Sequence, residues 1–159
     1  MTIPYIAQAA DHEQLAWIGG GVLSVLLDAT TTGGQLTMMS TDLERGAGAP
    51  VHVHSLEDEL MVVLAGSATF WVGDTRHEVA EGGLAWLPRG LAHTYRIDSE
   101  RARILTVCTP AGLEGFFRQA GHDLSTPKPD GWAPTPQSMG AALAAHGGTI
   151  LGPPKGLED

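Results

Sequence analysis

Short apolar runs, each bounded by glycine or by a polar turn, recur from residue 21 to residue 109. Runs of this length, rich in valine, threonine and aromatic residues, are typical of an antiparallel sandwich or barrel. The predicted strands cover residues 21–28, 35–41, 51–54, 59–64, 68–72, 77–79, 84–86, 93–97 and 103–109. A glycine and an aspartate at positions 73 and 74 predict a hairpin turn between two of these strands.

Beyond residue 109 the apolar positions change to helical spacing. Thr109 and Pro110 have the character of a helix cap and a first helical residue. Apolar residues then repeat every three or four positions and stop at Gly121; they are Leu113, Phe116, Phe117 and Ala120. We expect this helix to pack on the outside of the barrel or against a partner subunit.

A second helix is predicted to begin at Thr135 and Pro136 and to stop at Gly147. The chain is therefore divided into an N-terminal edge segment (1–20), a barrel (21–110), a C-terminal helical segment (111–150) and a tail (151–159). Residues 152–159 of this tail are expected to be frayed. The edge segment is expected to add a strand, either within the chain or to a neighbouring subunit. Because exposed sheet edges are usually covered, we expect a homodimer.

Length and charge narrow the classes of function. A chain of 159 residues is long enough for one domain with a real core. Its 18 acidic and 9 basic residues give a formal charge of -9, which disfavours nucleic acid as a partner. The sequence has no apolar run long enough to cross a bilayer and no signal-peptide pattern, so we expect a cytoplasmic protein. Cys108, among apolar strand residues, is expected to be a buried thiol without chemistry.

Three histidines and a glutamate stand at spacings that indicate a metal site. His52 and His54 share one face of a strand, because side chains alternate with a period of two. Glu59 lies at an odd step from His54, so the chain must turn between them before the carboxylate can return to the same point. His93 follows a turn at Pro88 and Gly90. Taken alone, the pair of His52 and His54 is compatible with an ordinary surface strand, and so is Glu59. Their combination with His93 favours a metal site.

These two runs resemble the two motifs of the cupin superfamily. The first motif is matched by the order and spacing of Gly46, His52, His54, Glu59 and Gly66, and the second by those of Gly82, Pro88, Gly90 and His93. The resemblance implies a mainly all-β fold, a cupin-type antiparallel β-barrel or jelly roll with one or two C-terminal helices. It implies that His52, His54, Glu59 and His93 are the metal ligands, although a cupin that kept these residues without a metal is the alternative. Ile97 stands where the family usually has asparagine, which removes a polar contact but no ligand.

The donor set fits one divalent transition metal ion and does not choose among iron, nickel, manganese, cobalt, copper and zinc. If Glu59 points into the barrel, Met61 and Val63 on its strand and Tyr95 on the strand of His93 also point inward. These residues are the predicted substrate contacts. They would form a mostly apolar pocket that suits a flat aromatic molecule better than a sugar phosphate. Arg89 and Arg96 are expected to lie on the surface.

Several segments are similar to single-domain cupins of the quercetin 2,3-dioxygenase type. They are EDE at 57–59, TFWVGD at 69–74, LPRGLAHTYR at 87–96, GLEGFF at 112–117 and LGPP at 151–154. This resemblance implies cleavage of a phenolic or enolic ring by dioxygen, with Glu59 as both ligand and base, or as ligand only. A metal-dependent aromatic polyketide cyclase or isomerase and a non-catalytic binding protein remain the alternatives.

Overall fold

The computed structural model describes residues 4–159. Its strands are β1 (Glu13–Ala16), β2 (Val22–Leu27), β3 (Thr37–Glu44), β4 (Pro50–His54), β5 (Asp58–Ala65), β6 (Ser67–Val72), β7 (Thr75–Ala80), β8 (Leu84–Leu87), β9 (His93–Ile97), β10 (Arg101–Thr109), β11 (His122–Asp123) and β12 (Gly148–Pro154). The helices are α1 (Ala29–Thr32), α2 (Glu114–Ala120) and α3 (Pro136–Ala145), with short 3-10 turns at Ala9–Asp11 and Ile18–Gly20. The predicted mainly β fold with two C-terminal helices is confirmed.

Two antiparallel sheets form the barrel. The larger sheet has the strand order β11-β1-β2-β3-β10-β5-β8, and the smaller has the order β12-β4-β9-β6-β7. Buried and exposed residues alternate along β3 and along β10, as the period of two requires. The inner faces bury a continuous apolar core that includes Phe70, Met39, Leu43, Ile97 and Ile104. Burial of this apolar surface is the main force that holds the two sheets together.

The longest strand pair extends beyond its predicted ends. The register of β3 with β10 runs from the pair Thr37 and Cys108 to the pair Glu44 and Arg101. The predicted strands stop short of the second of these pairs, at residues 41 and 103, because the acidic residues Asp42 and Glu44 interrupt the apolar pattern. These acidic residues occupy the exposed face while Leu43 stays buried, so the alternation continues through them.

The prediction that residues 152–159 are frayed is wrong in its first part. Residues up to Pro154 belong to β12, which pairs antiparallel with β4 and places Gly148 opposite His54 and Ile150 opposite His52. The glycines and prolines of this segment are not typical of a strand, so the sequence pattern did not predict it. β12 is an edge strand, where a proline without an N–H is tolerated.

The N-terminal segment also folds within this chain. Strand β1 pairs with β2 on one side and with β11 on the other, so it lies inside the larger sheet. The alternative that this strand extends the sheet of a neighbouring subunit is therefore wrong for the described residues. The homodimer stays a prediction.

Helix α2 begins later than predicted. It starts at Glu114, so Thr109 and Pro110 are not its cap and first residue. The reason is the buried Glu114 carboxylate, which accepts hydrogen bonds from Thr37 Oγ1 and from the backbone N–H of Ala29 and of Gly112. These bonds tie the end of the barrel to the start of the helix and hold residues 110–113 in a turn.

Helix α3 begins where the sequence predicts. Thr135 accepts a hydrogen bond from the backbone N–H of Ser138 at 3.0 Å, and Pro136 is the first helical residue. No helix within residues 4–159 combines the length and the hydropathy that a membrane span requires.

Candidate metal centre

The four predicted ligands come from three strands in two sheets. His52 and His54 lie on β4, and His52 is the direct cross-strand partner of His93 on β9. Glu59 comes from β5 in the larger sheet. The bend that returns the chain to Glu59 is held by Ser55, whose backbone N–H and hydroxyl both donate to the carbonyl oxygen of Gly147. The structure thus brings all four residues together inside the barrel.

Their donor atoms form a tight cluster. The Nε2 atoms of His52 and His54 are 3.1 Å apart, and His93 Nε2 lies 3.1 Å from Glu59 Oε2. His54 Nε2 lies 3.8 Å from the same carboxylate oxygen. One ligand atom from each residue lies within 4.8 Å of every other. His54, Glu59 and His93 are buried and His52 is half-buried.

A polar contact at the far side of each ring fixes its orientation. His52 Nδ1 lies 2.7 Å from the carbonyl oxygen of Pro50, and His93 Nδ1 lies 2.9 Å from that of Leu91. His54 Nδ1 lies 2.7 Å from Glu57 Oε1. Because these oxygens only accept, each Nδ1 carries a proton, and in the neutral form of each ring the Nε2 lone pair faces the centre.

Glu57 is the residue that the sequence analysis missed. It is buried and supplies the only carboxylate among the three groups that orient the histidines. A carboxylate behind a ligating histidine fixes its tautomer and makes the imidazole more basic. The acidic run at 57–59, directly after the histidine pair, was the available signal.

The donor set fits a divalent metal ion. Three imidazole nitrogens and a carboxylate are ligands that first-row transition metals accept. Metal bonds of about 2.0–2.1 Å place neighbouring ligand atoms roughly 3 Å apart, and the closest ligand atoms here are separated by 3.1 Å. Four electron-pair donors that face one another repel, and a cation between them removes that repulsion. The buried cluster could therefore hold a metal ion, and the ligand set itself does not identify which one.

The negative charge of Glu59 favours a positive charge next to it in the cluster. Burial opposes ionisation of Glu59, but the hydrogen bond to His93 and the three imidazoles outweigh it and lower the pKa of Glu59 to about 2. Burial and the neighbouring His93 lower the pKa of His52 to about 4. Burial also disfavours charge on His93, yet Glu59 more than compensates and raises the pKa of His93. A proton on His93 Nε2 and a metal ion thus compete for the same negative centre.

An apolar cavity adjoins the cluster on the side of His52, His54 and Glu59. Its lining includes the strand residues Met39, Met61 and Tyr95. Aromatic residues also line it, and Trp17 packs edge to face against Phe116 at 5.5 Å and Phe117 at 4.8 Å between ring centroids. Met139 and Leu143 of α3 belong to the same lining. The expectation that the C-terminal helices pack outside the barrel or on a partner subunit rather than line a ligand pocket is wrong, because apolar residues of both helices line this cavity.

The predicted substrate contacts divide into two groups. Met61 and Tyr95 line the cavity, whereas Val63 is fully buried in the core and is not part of the lining. Burial, with the nearby charge of Glu59, raises the pKa of Tyr95, so its phenol stays protonated. The remaining polar side chains of the wall are the hydroxyls of Thr41 and Thr106.

The two arginines near the motifs have different environments. Arg89 lies on the surface as predicted, where its guanidinium group donates two hydrogen bonds to Asp58, at 3.0 Å and 2.8 Å. The expectation that Arg96 lies on the surface is wrong. It is 5% exposed, pairs with Asp98 at 2.8 Å, donates to the carbonyl oxygen of Gly156 and lies 5.2 Å from the Trp71 ring centroid. Neither arginine lines the cavity.

Comparison with known proteins agrees with this geometry. A family model described as Cupin domain matches residues 39–108, which contain all four candidate ligands. Quercetin 2,3-dioxygenase of Bacillus subtilis (strain 168) is 25% identical over 119 residues, which are 75% of this chain and 35% of that enzyme. The aligned part of the chain thus spans about a third of the length of this curated relative. The match supports the cupin superfamily.

Solved structures agree on the fold. KdgF from Halomonas sp. superposes with a TM-score of 0.63 at 13% identity, covering 70% of this chain and 98% of the other. An RmlC-like cupin from Shewanella frigidimarina NCIMB 400 superposes with a TM-score of 0.61 at 16% identity, covering 72% and 98%. Identities this low establish the cupin fold and nothing about activity.

Proposed function

We propose that this cupin-fold protein is a metal-dependent dioxygenase of the quercetinase-like type. Its substrate would be a flavonol-like or other phenolic or enolic aromatic molecule, which it cleaves or oxidises with O2. One observation carries the proposal: the open side of the candidate metal cluster faces a cavity with aromatic and apolar walls. The match to quercetin 2,3-dioxygenase adds support from the sequence.

The metal, when bound, would act as a Lewis acid toward a phenolic or enolic oxygen and would provide the contact with dioxygen. His52, His54 and His93 would hold it, and Glu59 would complete the ligand set. At neutral pH the lowered pKa of Glu59 keeps its carboxylate ionised. The lowered pKa also makes it a weak base, so it would accept the hydroxyl proton of a substrate only because a bound metal would make that hydroxyl more acidic. Glu59 lines the cavity, which puts this carboxylate within reach of the substrate.

The residues that line the cavity favour an uncharged aromatic substrate. Among residues 4–159 no lysine or arginine lines the cavity, so a phosphate or a highly charged sugar would lose its hydration without compensation. Aromatic rings instead gain contact area against Trp17, Phe116 and Phe117. The protonated phenol of Tyr95 can donate a hydrogen bond to a carbonyl or enolic oxygen and orient the ring.

The second candidate is a metal-dependent aromatic cyclase or isomerase. It is favoured by the same carboxylate at the cavity wall, because proton transfer by Glu59 in a dry apolar site needs no oxidant. A protein that binds the aromatic molecule without turnover is the third.

Oxygen consumption separates these three classes. Protein reconstituted with Fe²⁺, Ni²⁺, Mn²⁺, Co²⁺, Cu²⁺ or Zn²⁺ is mixed with flavonols and simpler phenols in an oxygen electrode, and products are followed by mass spectrometry. The proposal expects oxygen uptake in step with substrate loss. Product formed equally fast under nitrogen would assign the cyclase or isomerase, and saturable binding without product would assign the binding protein.

A further inference from the structure

A second, larger cavity opens next to the metal cavity. The metal cavity measures about 60 Å³, which is room for roughly five water molecules. The neighbouring groove measures about 850 Å³. Ile18, Pro50, Met139 and Ile150 line both. The two cavities therefore share a wall, and a substrate of more than one ring is too large for the metal cavity alone.

The groove differs from the metal cavity in its charge. Its walls are otherwise apolar and rich in proline and glycine, but Arg45 and Lys155 both line it. No carboxylate within residues 4–159 lies close enough to form an ion pair with either side chain. Lys155 is half-buried, with Nζ 5.8 Å from the centroid of the Trp71 ring. In a chain of formal charge -9, two basic groups without acidic partners in one groove leave a local site for an anion.

We propose that the groove is a substrate subsite for a carboxylate. The substrate would be an elongated aromatic acid. Its phenolic or enolic end enters the metal cavity, its apolar body crosses Met139 and Ile150, and its carboxylate pairs with Arg45 and Lys155. This inference rests on the proposed function for the placement of the phenolic end. The pairing of the substrate carboxylate with Arg45 and Lys155 rests on the lining of the groove and not on the proposed function.

The test compares two probes that differ only in charge: a 3-hydroxyflavone with a carboxylate on its outer phenyl ring, and the methyl ester of that compound. Dissociation constants with the metal-loaded protein are measured by fluorescence titration. We expect the acid to bind about tenfold or more tightly than the ester, which corresponds to about 1.4 kcal/mol. In R45Q/K155Q this preference should fall below about threefold, because both charged partners of the acid are gone.

A matched control replaces an arginine outside the groove. Arg101 is 81% exposed and does not line the groove, so R101Q should keep the full preference for the acid. Thermal unfolding of each variant checks that the fold is retained. Equal affinity of the two probes for the unaltered protein, or a preference that survives in R45Q/K155Q, would overturn the subsite, and so would failure of both probes to bind.

The outcomes also separate this inference from the proposed function. Preference for the acid without oxygen uptake would keep the subsite and overturn the dioxygenase. Oxygen uptake with no preference for the acid would keep the dioxygenase and overturn the subsite. If analytical ultracentrifugation shows a dimer that R45Q/K155Q dissociates while the probes do not compete, the groove is covered by a second copy of the chain, and the subsite is overturned.

Discussion

Removal of the Glu57 carboxylate should weaken metal binding without removing a ligand. Glu57 is 4% exposed, and its Oε1 lies 2.7 Å from His54 Nδ1, on the side of the ring away from the cluster. Loss of such a carboxylate typically costs 10- to 100-fold in metal affinity, or about 1.4–2.7 kcal/mol. Because glutamine keeps an oxygen that can accept from Nδ1 but carries no charge, E57Q should lie near the lower value. E57A loses the polar contact with His54 as well and should lie near the upper value.

The assay is competition for Zn²⁺ and for Co²⁺ against a chromophoric chelator of known affinity at constant pH. The control is E78Q, since Glu78 is 71% exposed and pairs with the exposed Arg76, on a strand that carries none of the four candidate ligands. It should leave both affinities within the error of the measurement. The graded order, with the unaltered protein tightest, E57Q intermediate and E57A weakest, distinguishes orientation of His54 from a general loss of packing. An E57A affinity within twofold of the unaltered protein would refute this role of Glu57.

Three further predictions follow from the site and its supports. E59Q should retain appreciable metal yet lose turnover by about 100-fold or more, because the amide cannot take the substrate proton; unchanged turnover in a steady-state assay would limit Glu59 to a ligand role. Y95F should keep full metal content and raise KM about two- to tenfold, the value of one lost hydrogen bond, and an unchanged KM would make Tyr95 a wall residue only. E114Q should lower the free energy of unfolding by about 1–3 kcal/mol in denaturant titrations near neutral pH. Burial works against ionisation of Glu114, but its hydrogen bonds from Thr37 and the backbone lower its pKa in the folded state below the ordinary 4.5. The contribution of Glu114 is therefore complete above pH 4.5 and is lost as the pH falls below it, so the difference between E114Q and the unaltered protein should shrink in acid, and a difference that grows in acid would contradict the assignment.

The candidate ligands could be predicted because their spacing is tied to strand geometry. Two histidines two positions apart must share a face, and the turn at Pro88 and Gly90 positions His93 at the start of its strand. The same alternation placed Met61 on the inner face. These inferences need only local rules, and local rules are readable in one sequence.

The features that the sequence did not show depend on contacts between distant segments. Whether the apolar face of α2 packs inside or outside the barrel depends on Trp17, which lies about a hundred positions earlier in the chain. Strand β12 is defined by its pairing with β4 and not by its own glycines and prolines. Arg96 is buried because Asp98, Trp71 and the carbonyl oxygen of Gly156 surround its guanidinium group. Charge and polarity predicted exposure there, and the tertiary partners reversed it.

The central claim is that His52, His54, Glu59 and His93 hold one metal ion at the inner end of the cavity. Metal content per chain, determined by inductively coupled plasma mass spectrometry after loading and gel filtration, tests it most directly. The account predicts about one ion per chain in the unaltered protein and loss of most of that ion in H52A and in H93A, with H77A, an exposed histidine, unchanged. Full occupancy in H52A or H93A, or no bound ion in the loaded unaltered protein, would contradict it.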